Sequence, residues 1–128
     1  MSLVIPPSNS LTWRHHSFLL KLFKASTNQR RVVQILRKAT PSQIQALGEV
    51  ALNLLQRNIP LRSKFRKQLY PYREVVRRLA NAKTAPSEKK KLLLRANSVQ
   101  SGGVLPFLIP FLAPIAGTLA AAGIEQLL

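Results

Sequence analysis

Acidic residues are scarce in this chain: there are four glutamates and no aspartate. With no carboxylate pair at close spacing and no cysteine, the residues for a general acid–base pair, a metal cluster or a nucleophilic triad are missing. No enzymatic activity and no cofactor are expected. The lack of cysteine also excludes disulfides and thiolate zinc sites, and it leaves the redox compartment open. Glycine is sparse as well, at five residues, and the Gly102-Gly103 pair has neither the lysine nor the flanking pattern of a nucleotide-phosphate loop. The adjacent His15 and His16 point in two directions on a helix rather than at one metal, and we expect both to face solvent. Leu3, Val4 and Ile5 are followed by Pro6-Pro7 with no basic segment before them, so no secretory signal is expected.

What the chain has in excess is positive charge. Its 128 residues suit one small domain with appendages, yet they carry 20 Lys and Arg for a net charge of +16 and an isoelectric point near 11.8. All of those cations precede Val104, the last being Arg95, whereas residues 104–128 hold a single charged side chain, Glu125. Self-repulsion of this size destabilises a compact state. Release of condensed counterions makes DNA, RNA or an anionic membrane a favourable partner without any reading of sequence.

Periodicity then divides the chain. Residues 1–26 read as a flexible lead followed by an amphipathic helix over 13–24, capped by Thr12, with Trp13, Leu19, Leu20, Leu22 and Phe23 near helical spacing. Arg14, His15, His16, Lys21 and Lys24 on this helix admit a membrane-surface reading beside packing on the next domain. Residues 27–82 read as a small basic helical domain. Ser26, Thr27 and Asn28 are cap residues ahead of a helix over 29–39 with Val32, Ile35 and Leu36 on one face. Thr40-Pro41-Ser42-Gln43 has the pattern of a capping box with proline at the first helical position. It should open a helix to about residue 57 with Ile44, Leu47, Ala51, Leu54 and Leu55 as its stripe.

Asn58-Ile59-Pro60 ends that helix. Short helices are expected over 61–69, with Leu61, Phe65 and Leu69, and over 72–81, with Tyr72, Val75, Val76 and Leu79. About fifty residues is near the lower limit for an unaided fold. Residues 83–103 read as a basic linker, hinged at 83–87, with a short basic helix over 88–95 and an exposed polar stretch over 96–100. The double glycine that ends it has little conformational preference and can lie extended in a protease groove. Residues 104–128 form an apolar tail in which Pro106, Pro110 and Pro114 interrupt any straight helix. Ala113, Gly117 and Ala121 have a spacing found in close helix pairs, in lipid and in soluble packing alike. The fold class expected is all-α: a small basic helical bundle with a flexible lead and a proline-interrupted apolar tail.

The cations suit phosphate contact. Their spread over several helices argues against one recognition helix that reads base edges. The expected phosphate-binding set is Arg30, Arg31, Arg37, Lys38, Arg62, Lys64, Arg66, Lys67, Arg73, Arg77, Arg78, Lys89, Lys90, Lys91 and Arg95. Trp13, Tyr70 and Tyr72 are candidates either for stacking on bases or for core packing.

The tail and its junction resemble a known family. Gly102-Gly103-Val104-Leu105-Pro106-Phe107-Leu108-Ile109-Pro110-Phe111-Leu112, followed by the Ala/Gly-rich residues 113–123, is similar to the precursor of adenovirus core protein X, also called mu. In that family a basic DNA-condensing part precedes a glycine pair cut by the viral cysteine protease, and an apolar, proline-containing segment follows. Gln100-Ser101-Gly102-Gly103 resembles the protease's cleavage pattern, with Val104 beyond the cut. The close similarity covers about the C-terminal fifth of the chain. A wider one, through Gln29-Arg30-Arg31, the capped Thr40 helix, Asn58-Ile59-Pro60-Leu61 and Lys89 to Lys91, is to protein X-like virion proteins of adintoviruses and Maverick or Polinton elements.

The resemblance implies a virion core protein that condenses packaged double-stranded DNA, is matured after Gly103 by an adenovirus-type cysteine protease, and passes through the host nucleus during assembly. The basic part departs from the family, being helically periodic where the adenovirus region is short, Arg-rich and unstructured. A second reading makes the chain a membrane-active or capsid-interior protein whose residues 104–128 enter a bilayer or a capsid pocket. A third, a basic nuclear or ribosome-associated protein, gives no reason for the tail.

Overall fold

A computed structural model of the chain describes residues 11–56, 63–98 and 111–114. These form seven α-helices: α1 (Leu11–Arg14), α2 (His16–Ala25), α3 (Gln29–Lys38), α4 (Pro41–Leu55), α5 (Ser63–Leu69), α6 (Arg73–Ala80) and α7 (Pro86–Ser98). A 3-10 turn over Tyr70–Tyr72 joins α5 to α6, and residues 111–114 add one more helical turn. There is no strand among the described residues, so the protein is all-α.

Local chemistry fixes the starts of two central helices. Asn28 accepts a hydrogen bond from the Arg31 amide at 3.2 Å and so caps α3. At α4 the capping box closes in both directions. The Gln43 amide donates to Thr40 Oγ1 at 3.1 Å, and the Thr40 amide donates to Gln43 Oε1 at 3.0 Å. Pro41 adds a first helical position that needs no donor. The turn before α7 is also tied. Lys83 N donates to Asn81 Oδ1 at 2.9 Å and Thr84 N to Asn81 O at 3.1 Å, so the expected hinge is a hydrogen-bonded turn.

Around these starts, α4 is the helix on which the others assemble. It packs against α1, α6 and α7, while α7 also packs on α3 and α6, and α2 on α3. Its buried residues, Ile44, Ala46, Leu47, Gly48, Val50, Ala51 and Leu54, extend beyond one stripe, as a helix with neighbours on several sides requires. The Leu79 carbonyl of α6 comes so close that a Cβ on Gly48 would lie 2.7 Å from its oxygen. Leu55, expected in the stripe, is 47% exposed.

The first expected helix is two. His15 leaves helical geometry (φ −110°, ψ 31°) between α1 and α2. Thr12 does not cap: it is fully buried inside α1, and Glu49 of α4 takes the cap's place. Leu11 N donates to Glu49 Oε2 at 3.1 Å and Thr12 N to Glu49 Oε1 at 2.8 Å. A carboxylate from another helix thus meets the positive end of α1. The two histidines are half-buried rather than solvent-facing. His15 Nε2 lies 2.7 Å from Ser42 Oγ, and His16 Nδ1 lies 2.7 Å from the Trp13 carbonyl.

The expected segmentation at residues 27 and 83 does not correspond to breaks in packing. One buried cluster joins Leu19, Leu20 and Leu22 of α2 to Val32, Leu36, Leu47 and Leu79, to Leu93 of α7, and to Phe111 and Leu112 beyond the glycine pair. The helix expected over 88–95 runs from Pro86 to Ser98, and Asn97, expected in the most exposed stretch, is buried with its side-chain amide donating to Leu93 O at 2.8 Å. A core of fifty residues is too small to cover its own apolar stripes, and the flanking helices complete it. Helix α4 ends at Leu55; the lead over 1–10, the expected breaker Asn58-Ile59-Pro60, Leu61, and the tail apart from 111–114 lie outside the described residues.

Two substitutions test this packing by chemical denaturation. Gly48→Ala should destabilise the bundle although alanine favours a helix by about 1 kcal/mol over glycine, because the Leu79 carbonyl cannot yield without moving α6; a stabilised variant would contradict that contact. Phe111→Ala should lower the unfolding free energy by about 3–5 kcal/mol, whereas a tail independent of the bundle would leave it unchanged.

Candidate nucleic-acid interface

The amphipathic helices turn most of their cations outward. On α3 the burial of Val32 and Leu36 leaves Arg30, Arg31, Arg37 and Lys38 exposed. On α5 Leu69 is buried and Lys64, Arg66 and Lys67 are exposed; on α6 Val76 and Leu79 are buried and Arg73, Arg77 and Arg78 are exposed. From α7, Lys91 and Arg95 are exposed and Lys90 is half-buried. The Lys90 ammonium donates to the Arg37 carbonyl at 2.9 Å, a cation at the negative end of α3. That contact brings Arg37, Lys38 and Lys90 together across two helices. Arg62 and the junction Gln100-Ser101-Gly102-Gly103-Val104 lie outside the described residues.

Lys89 leaves the expected phosphate-binding set. It is 3% exposed, and its ammonium donates to Gln45 Oε1 of α4 at 2.8 Å, above Gly48, where an added Cβ would stand 2.9 Å from Nζ. In the run Lys89-Lys90-Lys91 a helix turns each residue by about 100°, so the three neighbours meet three surroundings. Lys89 enters the α4 contact, Lys90 reaches α3, and Lys91 stays outside with Glu88 at 3.7 Å. Burial pushes the Lys89 amine below its ordinary value of 10.5.

The glutamates of the described residues each have an internal task. Glu49 holds α1, Glu74 accepts from Arg77 at 2.7 Å, and Glu88 faces Lys91. The last two are exposed pairs within one helix, worth little in stability. Of the aromatic candidates, Trp13 and Tyr72 pack against the buried cluster, whereas Tyr70 is 64% exposed with the Arg73 guanidinium 4.3 Å over its ring.

One cation absent from the expected set joins the others. Lys21 of α2 lines a groove with Arg31 and Lys38 of α3. The signal for it was present in the helical spacing of Ser17, Phe18 and Lys21, but which face α2 turns to α3 depends on packing.

Among the described residues no helix is long and apolar enough to cross a membrane, and no group of His or Glu side chains is placed to hold a metal ion. Comparison with protein-family models, with curated proteins and with solved structures gives no match.

The buried amine sets a pH dependence of stability. Its folded pKa lies below the unfolded one, so between the two values the unfolded chain binds more protons and stability rises with pH. The penalty is complete below the folded pKa and gone above about 10.5. Lys89→Met has no such penalty. In urea titrations at several pH values its stability relative to the parent should therefore be highest near neutrality and fall toward pH 10.5; a difference independent of pH would show that the amine is hydrated.

Proposed function

We propose that this protein binds double-stranded DNA through phosphate contacts, without reading base sequence, and acts as a virion core protein that condenses packaged DNA. The observation that carries the reading is the outward placement of cations on α3, α5, α6 and α7 while Glu49, Glu74 and Glu88 are engaged within the bundle. Such a surface attracts a polyanion from several directions and offers no single helix to a groove, which suits neutralisation more than base readout. Arg31, Arg37, Arg66 and their neighbours act here as phosphate ligands, and Tyr70 with Arg73 adds an exposed aromatic–cation pair.

The resemblance of the Gly102-Gly103 junction and the following apolar residues to the core protein X precursor supports the virion setting. Under this reading an adenovirus-type cysteine protease cuts after Gly103, and the protein passes through the host nucleus into the virion core.

The test is a binding series at rising salt with duplexes of unrelated sequence. Affinity should fall steeply and equally for all of them, the slope of log affinity against log salt gaining about 0.9 for each phosphate neutralised. Exchange of the exposed Lys67→Gln should lower the slope by about one such unit, whereas Lys89→Met should leave it unchanged. A flat salt response in the parent would remove the proposal.

A further inference from the structure

We propose that the groove between α2 and α3 is a binding site for a nucleoside phosphate, supplied as a free nucleotide or as an unpaired nucleotide of a strand. Arg31, Gln34, Ile35 and Lys38 recur at i, i+3, i+4 and i+7 and so form one face of α3, opposite Ser17, Phe18 and Lys21 of α2. Gln43, in the first turn of α4, closes the lining. The groove is open to solvent and has a volume of about 520 Å³, within the range of roughly 300–1,000 Å³ that small-molecule sites occupy.

The lining is chemically one-sided. Lys21, Arg31 and Lys38 supply three cations and no carboxylate shares the groove, so phosphate oxygens find charge-assisted donors there. Phe18 and Ile35 give apolar surface for a sugar or base. Gln34 and Gln43 add amides. The Gln43 oxygen already accepts from Thr40 N at 3.0 Å, which leaves its NH2 group as a donor. Shape separates this site from the outer cations: a duplex is convex and meets Arg66, Arg77 or Arg95 on the outside, whereas a single nucleotide unit can enter a concavity. The proposal rests on the phosphate-binding reading and singles out one place where that chemistry is combined with an apolar wall.

The experiment uses the full chain at fixed salt and measures binding of ATP, inorganic triphosphate, a short oligothymidylate and its duplex with oligoadenylate. The parent is compared with Lys21→Gln/Lys38→Gln and with a control exchange outside the groove, Lys67→Gln/Arg95→Gln. Circular dichroism confirms that each variant keeps its helices. ATP or the single strand should bind more tightly than triphosphate at one site per chain, and the groove variant should lose affinity for it by about tenfold or more, with the control much less affected. Duplex affinity should fall no more in the groove variant than in the control.

Either source binding in this way upholds the site, and the arm that binds names the source. Triphosphate binding as well as ATP and the single strand, or groove and control variants alike, overturns it. If the duplex still binds with its steep salt dependence, that failure concerns the groove alone; if the duplex does not bind either, the wider phosphate reading fails with it.

Discussion

Like charges repel, and a small chain with a net charge of +16 must offset that repulsion by burial. Exposed charges interact over about 8–10 Å at ordinary ionic strength, and every helix of this bundle except α4 carries exposed cations. What opposes them is the apolar contact around α4. Gly48 lets the Leu79 carbonyl of α6 and the Lys89 amine of α7 approach that helix, and Ala46, Leu47, Val50, Ala51 and Leu54 are buried along it. The fold thus depends on a close approach at Gly48, where the Leu79 carbonyl lies against the α4 surface. The same geometry decides where the charges go: among the described residues Lys89 alone of the Lys and Arg side chains is buried, and it sits at that contact.

Burial of Lys89 is tolerable because the amine has an acceptor in Gln45 and because a lysine can yield its proton, which an arginine cannot. It is therefore part of the core's polar stitching rather than of the exposed cationic surface. Its neighbours show how little a run of like residues says about common function. Lys90 satisfies a carbonyl at the end of α3 and Lys91 stands by Glu88. A block of charge in sequence becomes three separate contacts once it is wound into a helix.

Legibility followed the range of the interaction. The Thr40-Gln43 capping box, the Asn28 cap and the stripe of Val32 and Leu36 are decided within one or two turns, and the sequence shows them directly. Glu49 at the start of α1, His15 against Ser42, and Lys89 against Gln45 join residues 27 to 44 positions apart. No periodicity reports such pairs. The outward cations were legible because amphipathic helices must send them to solvent, but the groove was not, since it needs the mutual rotation of α2 and α3. The burial of Phe111 and Leu112 was not legible for a related reason. Proline spacing and charge composition mark a change of solvent preference, yet an apolar segment can satisfy that preference by entering the core of its own chain, as Phe111 and Leu112 do.

That placement bears on the proposed maturation. A cut after Gly103 would remove the covalent link between the bundle and Phe111 and Leu112, two of its core side chains. Burying a side chain such as Phe or Leu contributes about 1.5–3 kcal/mol, so this pair contributes about 3–6 kcal/mol, and a separate fragment would have to meet the cost of association out of it. While the chain is intact, the covalent link keeps the segment at an effective concentration of about millimolar, and Phe111 and Leu112 stay buried. After cleavage retention would depend on how crowded the fragments are, and dilution would favour release. Cleavage would then do more than trim a tail, since it would make the completeness of the basic bundle's core depend on the concentration around it.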